Sequence, residues 1–162
     1  MKRIFALFVA ILTLVVFASC TNNNMIIDEE YYNVQIEAFY DENGERLFSV
    51  VETFGEESII AEYNNIGYVA YPGSTISDVL SENYAKDLKI VDDNETFEGW
   101  MVFKESSTVD ADGFENIEST KLDGLYTTEE ILEMEVVDCS YRFVAMWSDI
   151  HESYYAENGY EI

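Results

Sequence analysis

The sequence predicts an α+β domain, a small mixed β-sheet with two short helices on one side. Three observations lead there. Apolar and polar residues alternate over several short runs, the pattern of half-buried strands. Two segments open with a Thr three residues before an acidic residue and continue with apolar side chains at helical spacing. Aromatics make up 15% of the chain and Pro72 is the only proline, a composition suited to a packed core and not to a disordered stalk.

The chain opens on Met1-Lys2-Arg3 and an apolar stretch, residues 4–18, interrupted only by Thr13. A basic start and a short apolar run are the two parts of a secretory signal, and the run is shorter than the roughly 20 residues of a transmembrane helix. Phe17-Ala18-Ser19-Cys20 resembles the bacterial lipobox. That resemblance implies cleavage between Ser19 and Cys20 and diacylation of the Cys20 sulfur. Two acyl chains anchor stably where one is marginal. The expected organisation is a signal peptide over 1–19, a lipidated cysteine and polar tether over 20–30, a domain over 31–149 and a C-terminal tail over 150–162. The expected address is the exported side of the cell membrane, extracellular or periplasmic, with the surface favoured.

In NVQIEAFYDENGERLFSVVETF two alternating runs flank Asn43-Gly44. Val34, Ile36 and Ala38 share one face, and Asn-Gly supplies the positive φ angles of a tight turn, so a hairpin is expected. A further extended run, residues 58–71, stops at Pro72-Gly73. In STISDVLSENY, Thr75 caps a helix with Asp78 three residues on, and Ile76, Val79, Leu80 and Tyr84 fall on its buried face. FEGWMVF reads as a strand, and ESSTVDADGFENIESTKLDG as a loop or a long hairpin. In YTTEEILEME, Thr127 and Glu130 form a second capping box, with Tyr126 placed to staple against Ile131. YRFVAMW is the last expected strand, and SDIHESYYAENGYEI is left as a tail.

Four stretches in this order, FYDENGERL, AYPGSTISDVL, ETFEGWMVF and YRFVAMWSD, resemble the bacterial surface repeat called the internalin B repeat, or Listeria-Bacteroides repeat. The resemblance spans residues 34–149 and is carried most by Phe97-Glu98-Gly99-Trp100 and Ala145-Met146-Trp147. It implies a small β-grasp-like fold in a surface protein. This chain departs from the pattern by about a strand's length inserted between Val51 and Tyr68, and by the second helix between the two tryptophans. One elaborated copy is present, since no second Gly-Trp or Ala-x-Trp landmark occurs.

Charge excludes one class of partner. Of 8 basic residues, Lys2 and Arg3 leave with the signal, so six basic residues face 33 acidic ones, a net charge of −27. Nucleic acid needs Lys and Arg clusters, and none exists. The same charge repels anionic headgroups and holds the body off the bilayer. With Cys20 acylated only Cys139 remains, so an intrachain disulfide is ruled out and a core must supply stability.

The candidate sites are few. Trp100 and Trp147 each stand among apolar neighbours and are expected in the core, not stacked on sugar rings. VDADGFENIE offers Asp110, Asp112, Glu115 and Glu118 around Gly113, a weak calcium site at most. Aligning Gly113 with the sixth EF-hand place puts Thr108 at the first and Ser119 where the bidentate Glu belongs. Cys139 and His151 are the only thiol and imidazole after the signal, and they carry no catalytic signature. Tyr154, Tyr155 and Tyr160 form a candidate interaction patch. The expectation is a non-enzymatic envelope lipoprotein displaying a protein-interaction or adhesion domain, its partner an envelope protein or a surface glycan. Its alternative is a glycan- or calcium-binding lipoprotein. No cofactor is expected beyond that calcium.

Overall fold

The structure, a computed structural model, describes residues 31–160 except 42–43, 92–95, 111, 114, 151 and 158. Strand β1 (Tyr32–Glu37) buries Val34 and Ile36 at alternate positions. Phe39 then takes φ +83°, which turns the chain into a short ribbon of β2 (Tyr40–Asp41) and β3 (Gly44–Glu45). Asp41 pairs with Gly44, so the chain reverses near the expected place, although Asn43 lies outside the described residues. The two long runs flanking this reversal do not pair with each other, which corrects the expected hairpin. After the kink at Phe39 they enter different sheets.

The second run is β4 (Phe48–Phe54), which reverses at Gly55-Glu56 into β5 (Glu57–Tyr63). Phe54 pairs with Glu57 across a two-residue loop, and Gly55 at φ +65° occupies the first central position, as in a type II′ turn. The chain passes through Asn64 into β6 (Asn65–Ala70), so the extended run over 58–71 serves two sheets. Asn64 holds the corner. Its side-chain amide donates to the carbonyls of Phe39 (3.0 Å) and Arg46 (3.3 Å), and its own carbonyl accepts from Ala38 N–H at 2.7 Å. Pro72-Gly73 ends the run in a turn closed by Ser74 N–H donating to Tyr71 O at 3.1 Å, with Gly73 at φ +88°.

Helix α1 (Ile76–Glu82) starts with a complete capping box between Thr75 and Asp78, and buries Ile76, Val79 and Leu80. Tyr84 is not on its buried face. The helix has ended, Tyr84 sits at φ +61°, and it is 70% exposed. Next come β7 (Ala85–Ile90), the 13-residue β8 (Phe97–Val109) and β9 (Glu115–Lys121), the last two forming one long hairpin. Helix α2 (Thr128–Leu132) has the second capping box, Thr127 with Glu130, and buries Ile131. Strand β10 (Ser140–Trp147) and helix α3 (Glu152–Glu157) follow.

These elements form an α+β fold that is mostly strand: a five-stranded sheet ordered β6-β1-β10-β8-β9 and a three-stranded sheet ordered β5-β4-β7. Strand β10 is central, parallel to β1 and antiparallel to β8. The expected single sheet with one covered face is therefore corrected. The larger sheet is covered on one face by the smaller sheet and helices α1 and α2, and on part of the other by the C-terminal segment. Alternation along β10 explains why both faces are apolar at its middle. Tyr141, Phe143, Ala145 and Trp147 enter the main core, where the register sets them beside Val34, Ile36, Val102 and Trp100. Arg142, Val144 and Met146 face the C-terminal segment.

Candidate functional site

Cys20 and Ser19 lie outside the described residues. Trp100 and Trp147 are fully buried. The Trp100 indole N–H donates to Thr128 Oγ1 at 3.0 Å, tying β8 to the first turn of α2, and the Trp147 indole N–H donates to Ala38 O at 2.7 Å. Neither ring offers a face to a ligand.

Of the tyrosine patch, Tyr155 and Tyr160 are buried, so they do not form an exposed surface; the side chain of Tyr154 lies outside the described residues. Tyr155 stacks on Phe39 with ring centroids 4.6 Å apart, and its hydroxyl accepts from Trp147 N–H at 2.9 Å. Tyr160 donates to Glu37 Oε2 at 2.5 Å and packs against Phe103. The Arg142 guanidinium lies 5.2 Å from both ring centres. The reason for the correction is register. Val144 and Met101 on the second sheet face are apolar and need covering, and the segment after Trp147 is the part of the chain close enough to do it.

Among the described residues the structure does not gather the acidic candidates Asp110, Asp112 and Glu118 into a metal site. Asp110 accepts from the backbone N–H of Asp112 at 2.9 Å and so closes its own turn. Glu118 on β9 pairs with Ser106, and the side chain of Glu115 lies outside the described residues. Among the described residues no group of three or more His, Cys, Asp or Glu is arranged to hold a metal ion. Cys139 is buried, and burial chiefly pushes its thiol up, which keeps it protonated at neutral pH. His151 lies outside the described residues. No described helix is long and apolar enough to cross a membrane.

Two surfaces stand out instead. The first is the β4–β5 hairpin. Phe54 (60% exposed), Ile59 (51%) and Ile60 (73%) lie on it, and Tyr84 is held alongside by Thr53 N–H donating to its carbonyl at 2.8 Å. Among the described residues strand β5 pairs only with β4, so its other side is a sheet edge. The second surface is a cleft of about 440 Å³ on the larger sheet, where β8 and β9 run on past the start of β10. Asn33, Gln35, Asn65 and Ser140 line it, with Val69 and Ile117 exposed on opposite walls. Its described lining holds one charged residue, Glu105, which lies 2.9 Å from Arg142 Nε.

No family model, curated protein or solved structure matches this chain. The two surfaces therefore rest on their own chemistry. Sequence reading passed over both. Gly55-Glu56 between two alternating runs was the available sign of the β4–β5 hairpin, whereas the cleft joins residues from five strands and has no local signature.

Proposed function

We propose that this chain is a lipid-anchored, non-enzymatic protein of the cell envelope whose domain binds another protein. The observation that carries this reading is the group of exposed apolar residues on and beside the β4–β5 hairpin. A chain with 33 acidic residues leaves Phe54, Ile59 and Ile60 of one hairpin and the adjoining Tyr84 in solvent, and neighbouring exposed apolar groups mark interaction surfaces. The lipobox-like FASC and the resemblance to a bacterial surface repeat support the envelope address.

The test is capture from solubilised native envelopes with crosslinking, using the full lipidated chain as bait beside an Ile60→Lys chain. A partner retained by the parent and lost with Ile60→Lys supports the reading. Equal capture by both, or none by either, removes the hairpin as the binding surface. Anchoring is tested separately: an alkyne fatty acid should label the parent chain in cells and leave Cys20→Ala unlabelled.

A second reading, glycan binding, is favoured by the cleft. Its amides and hydroxyls suit an uncharged polyhydroxyl ligand, and Glu105 is neutralised by Arg142. Neutral trisaccharides should then shift the amide resonances of Gln35 and Ser140 saturably. Unchanged spectra at high sugar concentration would remove this reading.

A further inference from the structure

Natural sheet edges are blunted by lysine, proline, bulges or covering elements. Among the described residues strand β5, Glu-Ser-Ile-Ile-Ala-Glu-Tyr, has none of these, and its charges, Glu57 and Glu62, leave the four residues between them uncharged. It has no Lys or Pro, its register with β4 is continuous over seven pairs, and its first four residues are exposed. Edge strand β6 also lacks Lys, Pro and a bulge, but its exposed residues, Asn65, Gly67 and Val69, alternate with half-buried ones; the two remaining edges are blunted. Strand β7 carries Lys86 and Lys89 and a bulge around Asp87 at φ +55°, and β9 carries Lys121 at its end.

The backbone geometry of the free side follows from the turn. A two-residue loop closes on a hydrogen-bonded pair, here Phe54 with Glu57. Alternation then makes Glu52 with Ile59, and Val50 with Ala61, the next hydrogen-bonded pairs. The N–H and C=O groups of Ser58, Ile60 and Glu62 point away from β4. A strand laid alongside would meet three donor–acceptor positions, with exposed Ile59 on one face and Ile60 on the other.

Charge decides which strand fits. Glu57 and Glu62 bracket the isoleucines, and Glu56 adds a third carboxylate at the turn. In a second copy paired antiparallel, outward-pointing backbone groups must face one another, so either Ile59 lies opposite Ile59, which sets Glu62 directly opposite Glu56, or Ile60 lies opposite Ile60, which sets Glu62 diagonal to Glu56. Like charges directly opposite are destabilising, and each chain also carries a large negative charge. The chain's own Met25-Ile26-Ile27 meets the same repulsion, because Asp28-Glu29-Glu30 follows it. We infer that β5 accepts an additional antiparallel strand from a partner protein, in which two adjacent apolar residues sit opposite Ile59 and Ile60 and lysine or arginine sits opposite Glu57 and Glu62.

The spacing of the two glutamates sets the pattern as basic-x-apolar-apolar-x-basic. The proposal rests on the protein-interaction reading and specifies its partner.

The experiment uses the full chain in mild detergent and a synthetic peptide, Thr-Lys-Thr-Ile-Val-Thr-Lys-Thr, followed by amide resonances and hydrogen exchange. Saturable binding with slowed exchange at the amides of Ser58, Ile60 and Glu62 is the expected result. Methylating the three peptide nitrogens that face Ser58, Ile60 and Glu62 should weaken binding at least about tenfold, since hydrogen-bonded backbone contacts are lost while side chains stay. Raising salt from about 20 to about 500 mM should weaken it severalfold, because exposed ion pairs are screened. Equal binding of the methylated peptide would overturn strand addition while leaving the hairpin as a protein-binding surface. A Glu-flanked peptide binding as well as the Lys-flanked one would overturn the charge rule. Failure of the parent peptide to bind at millimolar concentration overturns the inference, and envelope capture then reports separately on the broader reading. Concentration-dependent self-association lost with Ile60→Lys would make a second copy the occupant and overturn the inference as well.

Discussion

Phe39 shows how a single residue resolves a conflict between local cost and tertiary gain. A bulky side chain at positive φ costs about 1–2 kcal/mol, yet Phe39 is buried between Tyr155 and Tyr160 and turns β1 out of its sheet. Nothing in the local sequence signals this. Tyr155 supplies the partner for a backbone group at the β10 bulge, where its hydroxyl accepts from Trp147 N–H. Tyr155→Phe should therefore cost about 1–3 kcal/mol, because a buried donor is left without an acceptor. A denaturant midpoint that falls with unchanged slope would show it, and an unmoved midpoint would remove this role. Two further tyrosines set an alkaline limit. Burial first, then the charges of Tyr63 and Glu52, push Tyr68 up to about 12, and burial with the hydrogen bond to Glu37 pushes Tyr160 up as well. Tyrosine in the unfolded chain ionises near pH 10. The folded state holds these protons longer, so their contribution is complete below about pH 10 and is lost as pH rises through about 12. Stability should fall over that window, and Tyr68→Phe should flatten the fall. The Tyr68 hydroxyl is also buried without a hydrogen-bond partner among the described residues, so Tyr68→Phe should not lower stability at pH 7.

At the scale of elements, the helix starts were legible because a cap is a contract among four consecutive residues. Thr75 with Asp78 and Thr127 with Glu130 close as capping boxes, and Pro72-Gly73 turns the chain where the dipeptide stands. Thr127→Ala should cost about 1 kcal/mol. Helix α2 has only five residues and its Thr128 anchors Trp100, so the loss should appear as a lower melting temperature with faster exchange at Trp100 Nε1–H. Helix α3 was less legible. The segment read as a tail docks through Ile150, Tyr155 and Tyr160, all buried. A chain ending at Asp149 loses those three side chains, each contributing about 1.5–3 kcal/mol of burial, and uncovers Phe39. It should be unfolded or strongly destabilised by circular dichroism. A truncated chain as stable as the parent would mean that the segment is dispensable.

For the molecule as a whole, charge acts against compactness. Across the chain 33 carboxylates face eight Lys and Arg side chains, so ion pairs such as Arg46–Asp149 and Arg142–Glu105 cannot neutralise most of the negative charge. Screening should thus stabilise more than it weakens: the melting temperature should rise from about 10 mM to about 500 mM salt, with sodium and choline chlorides equally effective. A fall would show that attractive pairs dominate. The sequence by itself determined the α+β class, the two capped helices, the turn at Pro72-Gly73 and the strand character of most runs, because those choices are made within a few residues by caps, turn chemistry and side-chain alternation. Only the tertiary structure decided that residues 58–71 divide at Asn64 between two sheets, that YRFVAMW is a central strand parallel to β1, that Tyr155 and Tyr160 are core, and that β5 is left as a free edge. The physical reason is that alternation states which side of a strand is apolar without naming what covers it. Strand partners are selected by burial summed over residues more than a hundred positions apart, such as Val34 beside Tyr141.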